Sequence, residues 1–433
     1  MQPSTPPAHS ERLHALDALR AIAMLLGIAL HATLAYWPDV FPLWAADDPA
    51  SSPVFIVAFS VIHLFRMEAF FLMAGFFGCM LLARDGARSF AAHRAKRIAL
   101  PLLLGMLTII PIAGFVWAWG LNLRLPEDAR AAPIEAYTNY LSFRGTAGWF
   151  QPMHLWFLQH LLVLYAAAIL GHALCTRIRP LAAAADACTS AWAWTVRKGL
   201  AAIPLTLLAI PVLLLQEGPG ADTQMGALPP LRIVFYYAVY FTAGWLLYRR
   251  RHDLPGLARF WIPQLILGIL LAIVSMAASG RYWELLLRPD AAPSPVSAAE
   301  LARILTTAQI LAAPATALLV VGVTGLFLRL CQKPSPAMRY ISDSAYWMYL
   351  VHLPLVVALN WTLYPLPAPA IIKFTIVCLA AFAIMLGSYH LFVRYTWIGV
   401  LLNGPKLRNQ RAQRRAAALA PSTTEAGTTA HHQ

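Results

Sequence analysis

Few residues in this chain are equipped for chemistry, and most of them sit where charge is costly. Imidazole exchanges a proton near neutral pH, and guanidinium groups hold phosphate or carboxylate in a bidentate grip. Inside or at the edge of long apolar runs the sequence places Asp17, Arg20 and His31, then His63, Arg66 and Glu68, then His154 and His160, and finally His352 and His390. An ionisable side chain within hydrocarbon is costly enough that each of these is a functional candidate by default.

The first group is the most ordered. Asp17 and Arg20 are three residues apart and Arg20 and His31 eleven apart. On a helix, eleven steps return to within about 20° of the start, so all three lie on one stripe, with His31 about 16 Å beyond Arg20. Such a stripe could build a site reached from both faces of a membrane. It equally suits an interfacial Asp17–Arg20 ion pair with a hydrogen-bonded interior His31. Arg66 and Glu68 are two apart and point to different sides of their helix, so each is expected to meet a residue of another helix. A charge pair that locks the bundle fits them as well as catalysis does. Phe70, Phe71, Phe76 and Phe77 with Gly75 and Gly78 read as close packing. In SFAAHRAKRIALP, Arg94 and Arg97 share a helical face and suit phosphate, although plain interfacial anchoring explains them too. Tyr349 and His352 are three apart, and Pro354, lacking an N–H, frees a backbone carbonyl nearby. A packed histidine is the simple alternative there, as it is for His154 and His160.

Elements that hold such residues must be membrane helices. Apolar residues make up 59% of the 433 positions and charged residues 12%. Mean hydropathy is +0.61. A soluble domain is closer to 45–50% apolar and about 25% charged, so disorder, fibres and most soluble enzymes are excluded. Runs of about 20 apolar residues, each enough to cross roughly 30 Å of hydrocarbon, lie near 17–37, 54–82, 98–119, 155–175, 200–216, 231–248, 261–278, 307–329, 344–364 and 370–394. The fold class is therefore all-α, polytopic, with about ten transmembrane helices. The fifth run is short and contains Pro204 and Pro211, so a kink is expected there. No cleavable leader is read at the start, because the first run is longer than a signal core.

Net charge is +14. With the N-terminus inside, 23 of the 33 Lys and Arg fall in the N-terminal tail and the loops after even-numbered runs, eight fall opposite, and Arg20 and Arg66 lie within runs. This asymmetry predicts N-in, C-in topology and removes the need for a nucleic-acid partner. The five scattered cysteines form no CxxC pair and then lie in the membrane or on the reducing side. Residues 1–16 read as a cytoplasmic tail, 17–400 as the membrane domain and 401–433 as a basic tail, disordered at its end. Residues 120–153 and 279–306 are the larger outer loops, suited either to a lid or acceptor surface or to simple connection. No cluster has metal-ligand spacing, and no internal repeat is evident.

Taken in order, these motifs resemble the membrane-bound acyltransferases of acyltransferase family 3, over residues 12–400. Arg20 and His31 match the family's Arg-x10-His pattern, with its preceding aspartate at Asp17. Arg94 and Arg97 match its Arg-x-x-Arg pattern. Segments 63–77, 154–158 and 341–354 resemble its glucan-modifying branch. The resemblance implies transfer of an acyl group, succinyl in that branch, from cytoplasmic acyl-coenzyme A to a carbohydrate hydroxyl beyond the membrane, in a multi-pass protein of the bacterial inner membrane. Acyl-coenzyme A is then a donor substrate, with no bound cofactor and no metal. His31 takes the role of general base, or of a transient acyl carrier. Arg94 and Arg97 hold phosphates with help from Arg20, and Asp17 orients Arg20. His63, Arg66, Glu68, His154 and His352 line the substrate path. The partner that fixes the His31 tautomer is not named by this comparison. Acetyl transfer to another polysaccharide or small molecule is the near alternative. A proton-coupled transporter or flippase is the alternative from another class, disfavoured by the lack of an inverted repeat.

Overall fold

The computed structural model describes residues 14–38, 44–149, 151–223, 226–287 and 296–404, with the side chains of 146–149 left aside. The N-terminal tail before residue 14, residues 288–295 of the second expected outer loop and the basic tail from 405 lie outside these residues. Every element described is helical: α1 (His14–Thr33), α2 (Val54–Arg94), α3 (Leu100–Leu107), α4 (Ile109–Leu123), α5 (Pro133–Trp149), α6 (Trp156–Arg177), α7 (Arg179–Lys198), α8 (Ala202–Leu213), α9 (Leu231–Arg249), α10 (Trp261–Leu287), α11 (Ala298–Leu330), α12 (Pro336–Leu363), α13 (Ala370–Ser388) and α14 (Trp397–Asn403).

Eight stretches are long and apolar enough to cross a membrane, and one of them runs for 70 residues, Val54–Leu123. That stretch doubles back. Gly86 kinks α2 with a left-handed φ of 76°, which a glycine adopts without strain. Beyond it the chain passes through a π turn, Ala95–Ala99, and returns through α3 and α4. Tyr346 near the start of α12 bonds the Arg97 carbonyl, whereas Gly120 of α4 lies against Trp361 near the end of α12. The second and third expected spans are thus both present. The fifth corresponds to α8, only 12 residues long, or about 18 Å. It still returns the chain: Gln264 Nε2–H donates to the Gly199 carbonyl before α8, and Gln216 after it donates to the Arg232 carbonyl at the start of α9. α6 and α9 both run parallel to α2, as the contacts Phe70–Phe157, Gly78–Tyr165, Phe71–Tyr237 and Phe76–Tyr248 show. Two parallel helices in sequence need a return pass between them, and α8 supplies it.

Packing follows membrane rules. A Cβ on Gly75 would strike the Phe241 carbonyl, and one on Gly244 the Leu72 carbonyl, so α2 and α9 touch backbone to backbone through small residues. Leucine and isoleucine instead cover the outside, for example Leu103, Leu107, Leu207, Leu270, Ile371 and Leu379, as a lipid-facing surface requires. Residues 179–198 fall between the fourth and fifth expected runs. They form α7, pinned by Arg249 to Asp186 and Thr189 and by Arg197 to Asp253. All five cysteines are free.

Candidate active site

Two helices build the site, α1 and α12. They run side by side in the same direction. At one end Arg20 donates to the Ser342 hydroxyl at 2.7 Å and meets the Asp17 carboxylate at 3.2 Å. At the other end the His31 and His352 rings lie 5.1 Å apart. Eleven residues separate the α1 pair and ten the α12 pair, about 16 and 15 Å by rise. The nearly equal spacing keeps both contacts in register. The Asp17–Arg20–His31 stripe is therefore the face of α1 that α12 covers.

His154 completes a group of three imidazoles, with its ring 5.1 Å from that of His352. It arrives on a 3-10 turn, Met153–Leu155, ahead of α6. Pro354 has no N–H to offer the Leu350 carbonyl one helical turn back, and His154 Nε2–H donates to that oxygen at 2.9 Å. Tyr349 reciprocates, its hydroxyl donating to the His154 carbonyl at 2.7 Å. Met153, just before, has φ 45°, a conformation that costs a side-chain-bearing residue about 1–3 kcal/mol. The two reciprocal hydrogen bonds hold the turn in place despite that strain. His352 Nδ1 donates to the Tyr349 carbonyl at 2.7 Å. A carbonyl only accepts, so neutral His352 keeps its lone pair on Nε2 and neutral His154 keeps its own on Nδ1. His154 Nδ1 and His31 Nδ1 are both buried without a hydrogen-bond partner. The His31 ring stacks on Trp44 at 5.8 Å and 11° and meets His352 at a 45° tilt.

Arg66 and Glu68 part company, as their spacing requires. A Cβ on Gly27, one turn before His31, would enter the Arg66 guanidinium, so a buried cation lies against the His31 helix. Its Nε has no partner, and among the described residues Arg66 forms no ion pair. Glu68 instead faces α9, where Tyr236, Tyr237 and Tyr240 lie close. His63 stacks on Phe59 at 5.2 Å. His160 bonds its own helix at the Trp156 carbonyl, and His390 pairs with the Tyr340 hydroxyl. Neither reaches the group of three.

Arg94 immediately precedes a π turn and Arg97 lies within it, an irregularity frequent at functional sites. Arg94 lies over the Tyr165 ring at 4.9 Å and the Phe90 ring at 5.3 Å, its Nε unpartnered. The Arg97 guanidinium packs on Gly404. Tyr346 ties this turn to the same face of α12 that holds Arg20, Tyr349 and His352. Among the described residues no group of three or more His, Cys, Asp or Glu is set to hold a metal ion.

Two features were missed from sequence. Trp44 stands in a loop outside any apolar run, with no motif to mark it. Lys373 was counted with the outer charges, yet it is buried within α13. It pairs with Asp48 at 2.8 and 3.1 Å, 3% and 4% exposed respectively. Asp47 binds Arg124 at 2.9 Å. These two pairs fasten the segment 44–48 across the His31 end of the bundle, where Trp44 meets both His31 and Trp117.

A family model described as an acyltransferase domain matches residues 13–390. Among curated proteins the chain is similar to glucans biosynthesis protein C of Salmonella typhimurium strain LT2, 32% identical over 166 residues, covering 38% of this chain and 40% of that one. It is likewise similar to glucans biosynthesis protein C of Escherichia coli strain K12, 31% identical over 158 residues, covering 36% and 38%. The chain thus spans about two fifths of the length of the curated relatives it matches. No solved structure matches.

Proposed function

Because the chain belongs to acyltransferase family 3, matched over residues 13–390, we propose that it is an integral-membrane O-acyltransferase of the bacterial inner membrane. It moves an acyl group, succinyl foremost, from cytoplasmic acyl-coenzyme A to a hydroxyl of a periplasmic glucan. The observation that carries this reading is the α1–α12 seam, which joins a guanidinium-bearing end at Arg20 and Ser342 to an imidazole-bearing end at His31 and His352. Donor and acceptor then approach from opposite faces and meet at His31. The glucan is favoured as acceptor by the relatives' printed name alone.

His31 takes the proton of the acceptor hydroxyl as that oxygen bonds to the thioester carbonyl carbon. The carbon–sulfur bond then breaks, and the proton passes to the departing thiolate. His31 returns to neutral, and the products are an ester and free thiol. The negative oxygen of the tetrahedral intermediate needs positive charge nearby, and Arg66, packed at Gly27, supplies it. Arg20, Arg94 and Arg97 hold the donor's phosphates, with Asp17 fixing Arg20.

Purified protein is incubated with labelled succinyl- or acetyl-coenzyme A and candidate glucans, and acylated sugar is measured. His31→Ala should abolish product while the protein elutes as a folded species. Wild-type turnover in that variant would remove His31 from the chemistry. The buried Glu68 with its three tyrosines also fits proton-coupled transport. A transporter leaves the sugar unmodified in this assay and moves it only once the protein is reconstituted into vesicles.

A further inference from the structure

A cleft of about 460 Å³ opens beside the Arg20 end of the seam. That size falls in the roughly 300–1,000 Å³ range of small-molecule sites. Its walls are the first turn of α1, with His14 and Asp17, the last turn of α11, with Arg329, the connection to α12, with Lys333, and the first turn of α12, with Arg339. Three cations thus converge on one concavity. Among the described residues none of the three forms an ion pair. The one carboxylate in the wall, Asp17, is engaged by Arg20. Ser335 caps α12 by accepting from the Met338 N–H, so the positive end of that 28-residue helix also meets the cleft. Anything anionic held here is one residue contact from Arg20 and one turn of α12 from Ser342.

We infer that this cleft is a phosphate-binding subsite that takes the phosphorylated nucleotide end of the donor, an assignment that rests on the donor being an acyl-coenzyme A. Coenzyme A carries anionic groups at two places, the ribose phosphate and the diphosphate, so it calls for more than one cationic patch. Arg94 and Arg97 form one. Arg329, Lys333 and Arg339 form the other, and both patches lie along the first third of α12. A nucleotide anchored here leaves its long arm free to follow the α1–α12 seam toward His31.

A phosphate ligand at this place has a second source, the headgroup of an anionic lipid, and the test separates the two. Full-length protein in micelles free of anionic lipid is titrated calorimetrically with adenosine 3′,5′-bisphosphate, which carries neither arm nor thioester. Lys333→Ala and Arg339→Ala should each weaken binding about tenfold, the size of one charge-assisted contact. Lys333→Arg should retain affinity. Unchanged bisphosphate affinity in both alanine variants overturns the assignment, as does its loss only in an Arg94→Ala/Arg97→Ala variant. If the variants instead lose co-purifying phosphatidylglycerol and keep nucleotide affinity, the cleft is a lipid site and the inference fails. If wild-type protein binds neither the bisphosphate nor succinyl-coenzyme A, the donor reading itself falls, and the cleft with it.

Discussion

Asp48 and Lys373 show how a buried charge can serve a site it does not touch. Both are almost fully enclosed, and removing one partner strands the other, a loss of about 3–5 kcal/mol. Lys373→Met should therefore lower the thermal midpoint clearly in detergent. Adding Asp48→Leu should recover most of the loss, because an apolar pair of similar volume is often neutral or better. Equal midpoints for wild type and the single variant would show that the pair stabilises nothing. The pair's second effect is positional. It fixes the segment carrying Trp44, and Trp44 holds one face of the His31 ring. Misplacing a reacting group by about 1 Å can cost a hundredfold in rate. Trp44→Ala should thus lower kcat about ten- to a hundredfold while donor KM stays near wild type, and Trp44→Phe should restore much of it. A Trp44→Ala variant with unaltered kcat would reduce that stacking contact to simple packing.

At the scale of elements, glycine decides which helices can meet. Gly75 and Gly244 place the backbones of α2 and α9 in direct contact, and α2 carries Arg66 and Arg94. Carbonyl groups in packed helices do not move aside, so Gly244→Val should destabilise by more than the roughly 1–3 kcal/mol typical of overpacking. Gly387 in α13 has nothing within reach of an added Cβ. Gly387→Ala should be neutral or stabilising by up to about 1 kcal/mol. Thermal unfolding of the two variants side by side tests this, and a harmless Gly244→Val would mean that α2 and α9 are not so close. The cluster around Gly75 and Gly78 was legible as a contact face because small residues among phenylalanines have few other uses. Its partner was not legible, because α9 lies far along the chain and the match is made by backbone. The three imidazoles divide in the same way. His31 announced itself by its spacing from Arg20, and Pro354 announced a free carbonyl. That His154 satisfies this carbonyl depends on how the Met153–Leu155 turn packs on α12, which no local pattern encodes.

For the whole molecule the constraint is parity. α1 and α12 run parallel, and so do α2, α6 and α9. The chain must reverse once between each successive pair of passes, so short α8 has to count as a pass. Its length of about 18 Å is less than the hydrocarbon thickness, and the bilayer must thin beside it or its ends must be sheltered by α9 and α11, onto which it packs. Apolar length alone put this segment at the edge of legibility, whereas the direction of its neighbours argues for its role as a pass. With α8 counted, α5 and the 44–48 segment share one end of the bundle, and Arg88, α7 and the phosphate cleft share the other. The surplus of Lys and Arg at that second end predicts that it is the cytoplasmic one. A cysteine placed at Phe143, 89% exposed on α5, should react with an impermeant maleimide added to intact spheroplasts, in a background where the five native cysteines are replaced by serine. A cysteine at Arg88 should react only after the membrane is opened. The reverse pattern would place His31 nearer the cytoplasm than Arg20, leave the donor's phosphates on the wrong face, and dismantle the two-sided mechanism while leaving the fold intact.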